Sequence, residues 1–272
     1  MRTSCDIDIL VHKKDLDAAT AVLVERLGCT TNGRSSHDVQ LYLPSGVHVE
    51  LHFDLVEDAR ANFCRSVLED CLTHTMPQAG YSYCLEFTDA MFYFYHIAHM
   101  AKHLEVGGCG IRPFLDVWVL DHLADEDCIQ ARDQLLLRGN LLTFANACRM
   151  LSQIWFEGKT HTETTLKLEE FVLSGGVYGN LKNKVAAQKK RSSNRFQYMM
   201  SRLFLPYDIL KAQYVILEKH KWLFPIMQVR RWIHLLCNVR LNSAKTELSL
   251  NRSISEDEIS DIEKLFDRIG LI

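Results

Sequence analysis

The chain has 272 residues, 47% hydrophobic and 24% charged, with a formal net charge of -3. That composition suits a globular protein of one or two domains and gives no global attraction to nucleic acid or acidic membranes, so any polyanion contact must come from a local patch. No apolar run approaches a membrane span and the first residues lack the charged-then-apolar pattern of a signal peptide, so a cytoplasmic protein with no membrane partner is expected.

Cysteines stand at 5, 29, 64, 71, 84, 109, 128, 148 and 237, an odd count with no C-x-x-C pair. Neither a zinc framework nor a disulfide scaffold fits, and most of these thiols are expected to be small core residues in a reducing compartment.

The first predicted element is a strand, Arg2-Thr-Ser-Cys-Asp-Ile-Asp-Ile-Leu-Val11, which alternates at its start and then turns wholly apolar. Alternation projects Asp6 and Asp8 together from one face. Two neighbouring carboxylates on a buried strand need a cation or strong donors, and Mg²⁺ held by one or two carboxylates plus substrate phosphates fits such a pair. A solvated strand mouth with both aspartates facing water is the alternative. Lys13 to Leu27 carries Leu16, Ala19, Val22, Leu23 and Leu27 at helical spacing, and Gly28 sits where a helix-ending glycine belongs. Two period-two runs, Val39 to Leu43 and Val47 to Phe53, flank Pro44-Ser-Gly46 and predict a hairpin. On its second run the apolar residues take one face, leaving His48, Glu50 and His52 on the other.

From Leu55 onward helical patterns dominate, with candidate helices at about 55–74, 88–105, 113–124, 127–137, 140–156, 162–174, 185–202, 207–219, 223–240 and 255–268. Ser255-x-x-Glu258 reads as a capping box, and Tyr83 to Phe87 as a further short strand. The basic cluster Lys182 to Arg191 with Arg195 is read as a solvated helix face rather than an RNA or polyphosphate contact. The amphipathic stretch from Trp222 to Leu236 is read as core packing rather than membrane binding. The expected fold is α+β, a small mixed-sheet platform over 1–54 followed by a mainly helical domain over 55–272.

If the first strand lies beside the hairpin, Glu50 comes near Asp6 and Asp8, and three carboxylates on adjacent strands outline a two-metal site for in-line phosphoryl transfer. The run Arg2-x-x-x-Asp6-Ile-Asp8-Ile-Leu-Val11, the helix ending Leu27-Gly28 and Val49-Glu-Leu-His52 resemble the nucleotidyltransferases of the polymerase-β-like superfamily. The match is to the bacterial group labelled uncharacterised nucleotidyltransferases, and it extends into His96-Ile-Ala-His-Met-Ala-Lys-His103 and Gly110-Ile-Arg-Pro-Phe-Leu-Asp116. The resemblance implies that Asp6 and Asp8 hold Mg²⁺ or Mn²⁺, that Glu50 is the third acid, and that a nucleoside triphosphate is the donor substrate. The superfamily's Gly-Ser or Gly-Gly turn before the aspartate strand has no counterpart in the five residues preceding Asp6, and truncation at the N-terminus is the expected reason.

His99 and His103, spaced i,i+4, can share a metal, or they are simply packed or solvated. Lys102 offers a compact positive charge, Arg112 a planar fork before Pro113 at a helix start, and Asp116 lies one turn on. This set, which with His99 and His103 forms the candidate substrate-binding group, is also similar to a second-domain pattern of abortive-infection toxin nucleotidyltransferases. An Arg112–Asp116 pair on a helix surface is the alternative. The expected function is transfer of a nucleoside monophosphate from a triphosphate to an acceptor hydroxyl, with a catalytically inactive binding module or a toxin-like enzyme as alternatives.

Overall fold

The structure, a computed structural model, describes residues 6–35, 37–55, 64–175, 204–214, 216–237 and 256–271. The fold is α+β, and the chain divides into two compact units, one made of Met1–Glu69 with Tyr207–Phe224 and the other of Asp70–Pro206 with Pro225–Ile272.

The first unit holds a four-stranded mixed sheet of β1 (Asp6–Leu10), β2 (Thr30–Arg34), β3 (Asp38–Tyr42) and β4 (His48–His52), in the order β1-β4-β3-β2. β1 runs parallel to β4, while β3 is antiparallel to both β4 and β2. The predicted hairpin is therefore β3–β4, turning through Pro44 to Gly46, with the amide of Gly46 donating to the Leu43 carbonyl at 2.8 Å. β2 carries no apolar alternation to betray it: Thr-Thr-Asn-Gly-Arg is exposed throughout, forms one sheet edge and is interrupted by a register shift between Thr31 and Gly33.

The helix predicted from Lys13 begins as a 3₁₀ turn, Lys13–Asp15, and continues as α1 (Leu16–Leu27). Gly28 ends it with φ 68°, the left-handed conformation a glycine adopts without a Cβ penalty. Leu16, Ala19 and Leu23 pack on the apolar sheet face, where Val39, Leu41, Val49 and Leu51 are buried beside Cys29. Val22 and Leu27, expected on the same stripe, are about half exposed.

The predicted 55–74 helix survives among the described residues only as α2 (Arg65–Leu68) and a 3₁₀ turn at Cys71–His74. Hydroxyls divert the backbone there: Thr73 Oγ1 donates to the Asp70 carbonyl at 2.7 Å and Thr75 Oγ1 to that of Leu72 at 2.9 Å. Short helices Tyr207–Gln213 and Ile216–Lys219 replace the single one expected over 207–219.

The second unit pairs β5 (Thr75–Pro77) with β6 (Leu85–Phe87), the latter within the predicted 83–87 strand. Its helices are α3 (Asp89–Glu105), α4 (Arg112–Leu123), α5 (Glu126–Arg138), α6 (Leu142–Glu157) and α7 (Glu163–Gly175), followed by the helix Phe224–Cys237 from Pro225 onward and by Glu256–Arg268. On α3, Phe94, Ile97, Ala101 and Leu104 recur at helical spacing and are fully buried, facing a core that includes Phe114, Leu136, Phe144, Cys148 and Leu151. Thr88 caps α3 and Asp125 caps α5 by accepting the amides of Met91 and Cys128. Of the cysteines, residues 29, 64, 71, 109 and 148 are buried thiols, and burial pushes the Cys109 thiol up to about 12. The expected helix at 185–202, the basic cluster at 182–195, the capping box at Ser255 and residues 238–240 lie outside the described residues. None of the described helices is long and apolar enough to cross a membrane.

Candidate functional site

The ladder of the four-stranded sheet decides which polar side chains meet. In the β1–β4 register Asp6 is opposite His48, Asp8 opposite Glu50 and Leu10 opposite His52. In the β3–β4 register Asp38 is opposite His52, Gln40 opposite Glu50 and Tyr42 opposite His48. Paired positions project from the same face, so Asp6, Asp8, His48, Glu50, His52 and Asp38 share the face opposite the α1 core.

His52 lies at the centre of this face. Its Nε2 is 3.4 Å from Asp8 Oδ1 and 3.4 Å from Glu50 Oε2, and its side chain is only 8% exposed. A hydrogen bond to Asp8 raises its pKa above 6.5 against the opposing effect of burial, and the charges of Asp8, Asp38 and Glu50 push the same way. Its other ring nitrogen, Nδ1, is buried with no hydrogen-bond partner among the described residues. His37 stacks on the ring with centroids 5.9 Å apart. Glu50 is flanked on its second oxygen by His48, whose Nδ1 is 3.6 Å from Oε1 and whose ring stacks on Tyr42. Asp38 is buried and accepts a hydrogen bond from Ser35 Oγ, which itself accepts the Asp38 amide at 3.2 Å.

Asp8, Glu50 and His52 each offer one ligand atom, and the three atoms lie within 4.8 Å of one another. The donor set fits a divalent cation: two carboxylates and one imidazole converge, and Asp8 is 59% exposed, leaving one side open for water or phosphate oxygens. Asp6 stands one rung along the same face, exposed, beside His48. The sequence placed His52 on the polar face with Glu50 but gave it no role; the signal was its i+2 spacing from Glu50 in Glu-Leu-His.

Lys102, His99, His103, Arg112 and Asp116 belong to the second unit. His99 and His103 Nε2 atoms are 3.1 Å apart on α3, a hydrogen-bonded pair, and no third His, Cys, Asp or Glu joins them as a ligand group among the described residues. Lys102 is exposed on the same helix. Arg112, also exposed, opens α4 after a glycine loop in which Gly107, Gly108 and Gly110 have positive φ, and Asp116 is one turn further. His96 donates from Nε2 to the Pro113 carbonyl at 3.0 Å, fixing the start of α4 against α3.

The model of a family described as uncharacterised nucleotidyltransferase matches residues 1–157, a stretch that ends with α6. No curated protein and no solved structure matches the chain.

Proposed function

The chain belongs to the uncharacterised nucleotidyltransferase family, and from that membership we propose that it is a divalent-metal-dependent enzyme moving a nucleoside monophosphate from a triphosphate to an acceptor hydroxyl. The observation that carries the metal dependence is the convergence of Asp8, Glu50 and His52 on one rung-aligned patch of the sheet.

Asp8 and Glu50 would hold Mg²⁺ or Mn²⁺, with Asp6 extending the acidic edge toward a second ion. A divalent ion bound there supplies charge neutralisation for the triphosphate and eases deprotonation of the attacking hydroxyl. His52 Nε2 stands 3.4 Å from each of these two carboxylates. Glu50, half-buried and flanked by two imidazoles, takes up the acceptor's proton as the acceptor oxygen bonds to the α-phosphorus and pyrophosphate leaves. Lys102, Arg112 and Asp116, with His99 and His103, are assigned to phosphate or acceptor handling within the second unit.

The test is label transfer from α-labelled ATP, CTP, GTP and UTP, to the protein itself or to acceptors in a cell extract. The Asp6→Ala/Asp8→Ala double variant should lose transfer by about 100-fold or more, the scale of removing a key electrostatic stabiliser. Undiminished transfer in a folded double variant would refute the assignment.

A further inference from the structure

We infer that His52 is itself a metal ligand, so that Asp8, Glu50 and His52 form a mixed oxygen–oxygen–nitrogen triad selecting a first-row transition ion over Mg²⁺; this rests on the proposed cation site. Three observations carry it. The imidazole is buried, with a side chain 8% exposed, yet its Nε2 is directed at both carboxylates rather than at one. Its separations from Asp8 and Glu50 are both 3.4 Å. Donors held 2.0–2.1 Å from one ion are about 3.0 Å apart in an octahedron and about 3.4 Å apart in a tetrahedron, so Nε2 already stands at ligand spacing from each carboxylate, and the three ligand atoms lie within 4.8 Å of one another. Finally, position 52 lies on the polar face, opposite the apolar cluster of Val49 and Leu51, so the imidazole is not part of the α1 core.

The donor chemistry sets the preference. Mg²⁺ favours all-oxygen surroundings and keeps its waters, whereas imidazole nitrogen suits later divalent ions, whose affinities rise from Mn²⁺ along the first row. Asp8, being exposed, leaves the remaining positions open to water and phosphate oxygens. His48 is the rival nitrogen, but its Nδ1 is 3.6 Å from Glu50 and it is not part of the group that converges on Asp8.

Pulsed electron paramagnetic resonance of Mn²⁺ bound to the full chain tests this without reference to activity. The spectrum should contain ¹⁴N modulation that is replaced by a ¹⁵N signature when histidine alone is ¹⁵N-labelled. The modulation should vanish in His52→Gln and persist in His48→Gln, and Mg²⁺ should displace Mn²⁺ from His52→Gln about tenfold more readily than from the native chain. Should His52→Gln not fold, the labelled native chain with His48→Gln still decides. Mn²⁺ that binds, is weakened by Asp8→Asn and carries no histidine nitrogen modulation would overturn the role of His52 while leaving the cation site standing. Modulation surviving in His52→Gln would overturn it equally. Absence of any Asp8-dependent Mn²⁺ binding would remove both.

Discussion

His103 lies on α3 with its Nε2 3.1 Å from that of His99, and burial, aided by the charges of His99 and Lys102, lowers its pKa from 6.5 to about 4. The folded chain therefore keeps this ring neutral over a range where the unfolded chain protonates it. As pH falls from about 6.5 to about 4 the unfolded state binds more protons, so stability is lost across that window and the loss levels off below it. Denaturant midpoints measured from pH 7 to pH 4 should fall less steeply for His103→Gln than for the native chain; parallel acid limbs would contradict the burial argument. Asp8 drew attention because two carboxylates at alternate positions of an apolar strand demand an explanation, whereas Glu50 did so only on the condition that this strand lies beside the hairpin. His52 did not, because only the parallel β1–β4 register turns its place on the polar face into proximity to both acids.

Among the elements, the residue that follows α5, Gly139, is a glycine for a steric reason. Its φ is negative, so the backbone there suits any residue, but an added Cβ would stand 2.6 Å from Cζ of the buried Phe94 ring on α3. Gly139→Ala should therefore destabilise the second unit by about 1–3 kcal/mol, the range for overpacking a core, measured by thermal or chemical unfolding. Gly28 differs: its φ of 68° penalises any L side chain, with Pro44 Cγ 3.4 Å from the added Cβ. Gly28 could be placed from the sequence, since a glycine directly after an amphipathic run has one common use. The role of Gly139 could not, since it depends on a ring 45 positions earlier. The β3–β4 hairpin and α3 to α7 were likewise legible from periodicity. β2 and β5 were hidden because one has no apolar face to bury and the other is three residues long and follows a run with helical spacing.

For the molecule as a whole, a buried arginine ties the helices of the second unit together. Arg132 on α5 makes a two-pronged contact to Asp89 of α3 at 2.6 and 2.7 Å, donates to the Leu120 carbonyl of α4 at 3.1 Å and stacks over Tyr93. Burial raises the pKa of neighbouring Asp121, which Arg132 and Arg149 counter. Replacing Arg132 by Met strands the Asp89 carboxylate and should cost about 3 kcal/mol, the low end for breaking a buried pair because Asp89 is partly exposed. The exposed Arg138–Asp70 pair should cost less than about 1 kcal/mol when Arg138 is replaced by Ala. Similar losses at the two sites would refute the distinction. The proposed metal-dependent chemistry, by contrast, rests on the sheet of the first unit, where the Asp8–Glu50–His52 group lies within the matched residues 1–157. Calorimetric titration of ATP, CTP, GTP and UTP in Mg²⁺ or Mn²⁺, against the native chain and the Asp8→Asn/Glu50→Gln variant, tests it most directly. At least one triphosphate should bind the native chain only with the metal, and this binding should disappear in the variant. Binding indifferent to both chelator and substitution, or no binding of any triphosphate by the native chain, would contradict it.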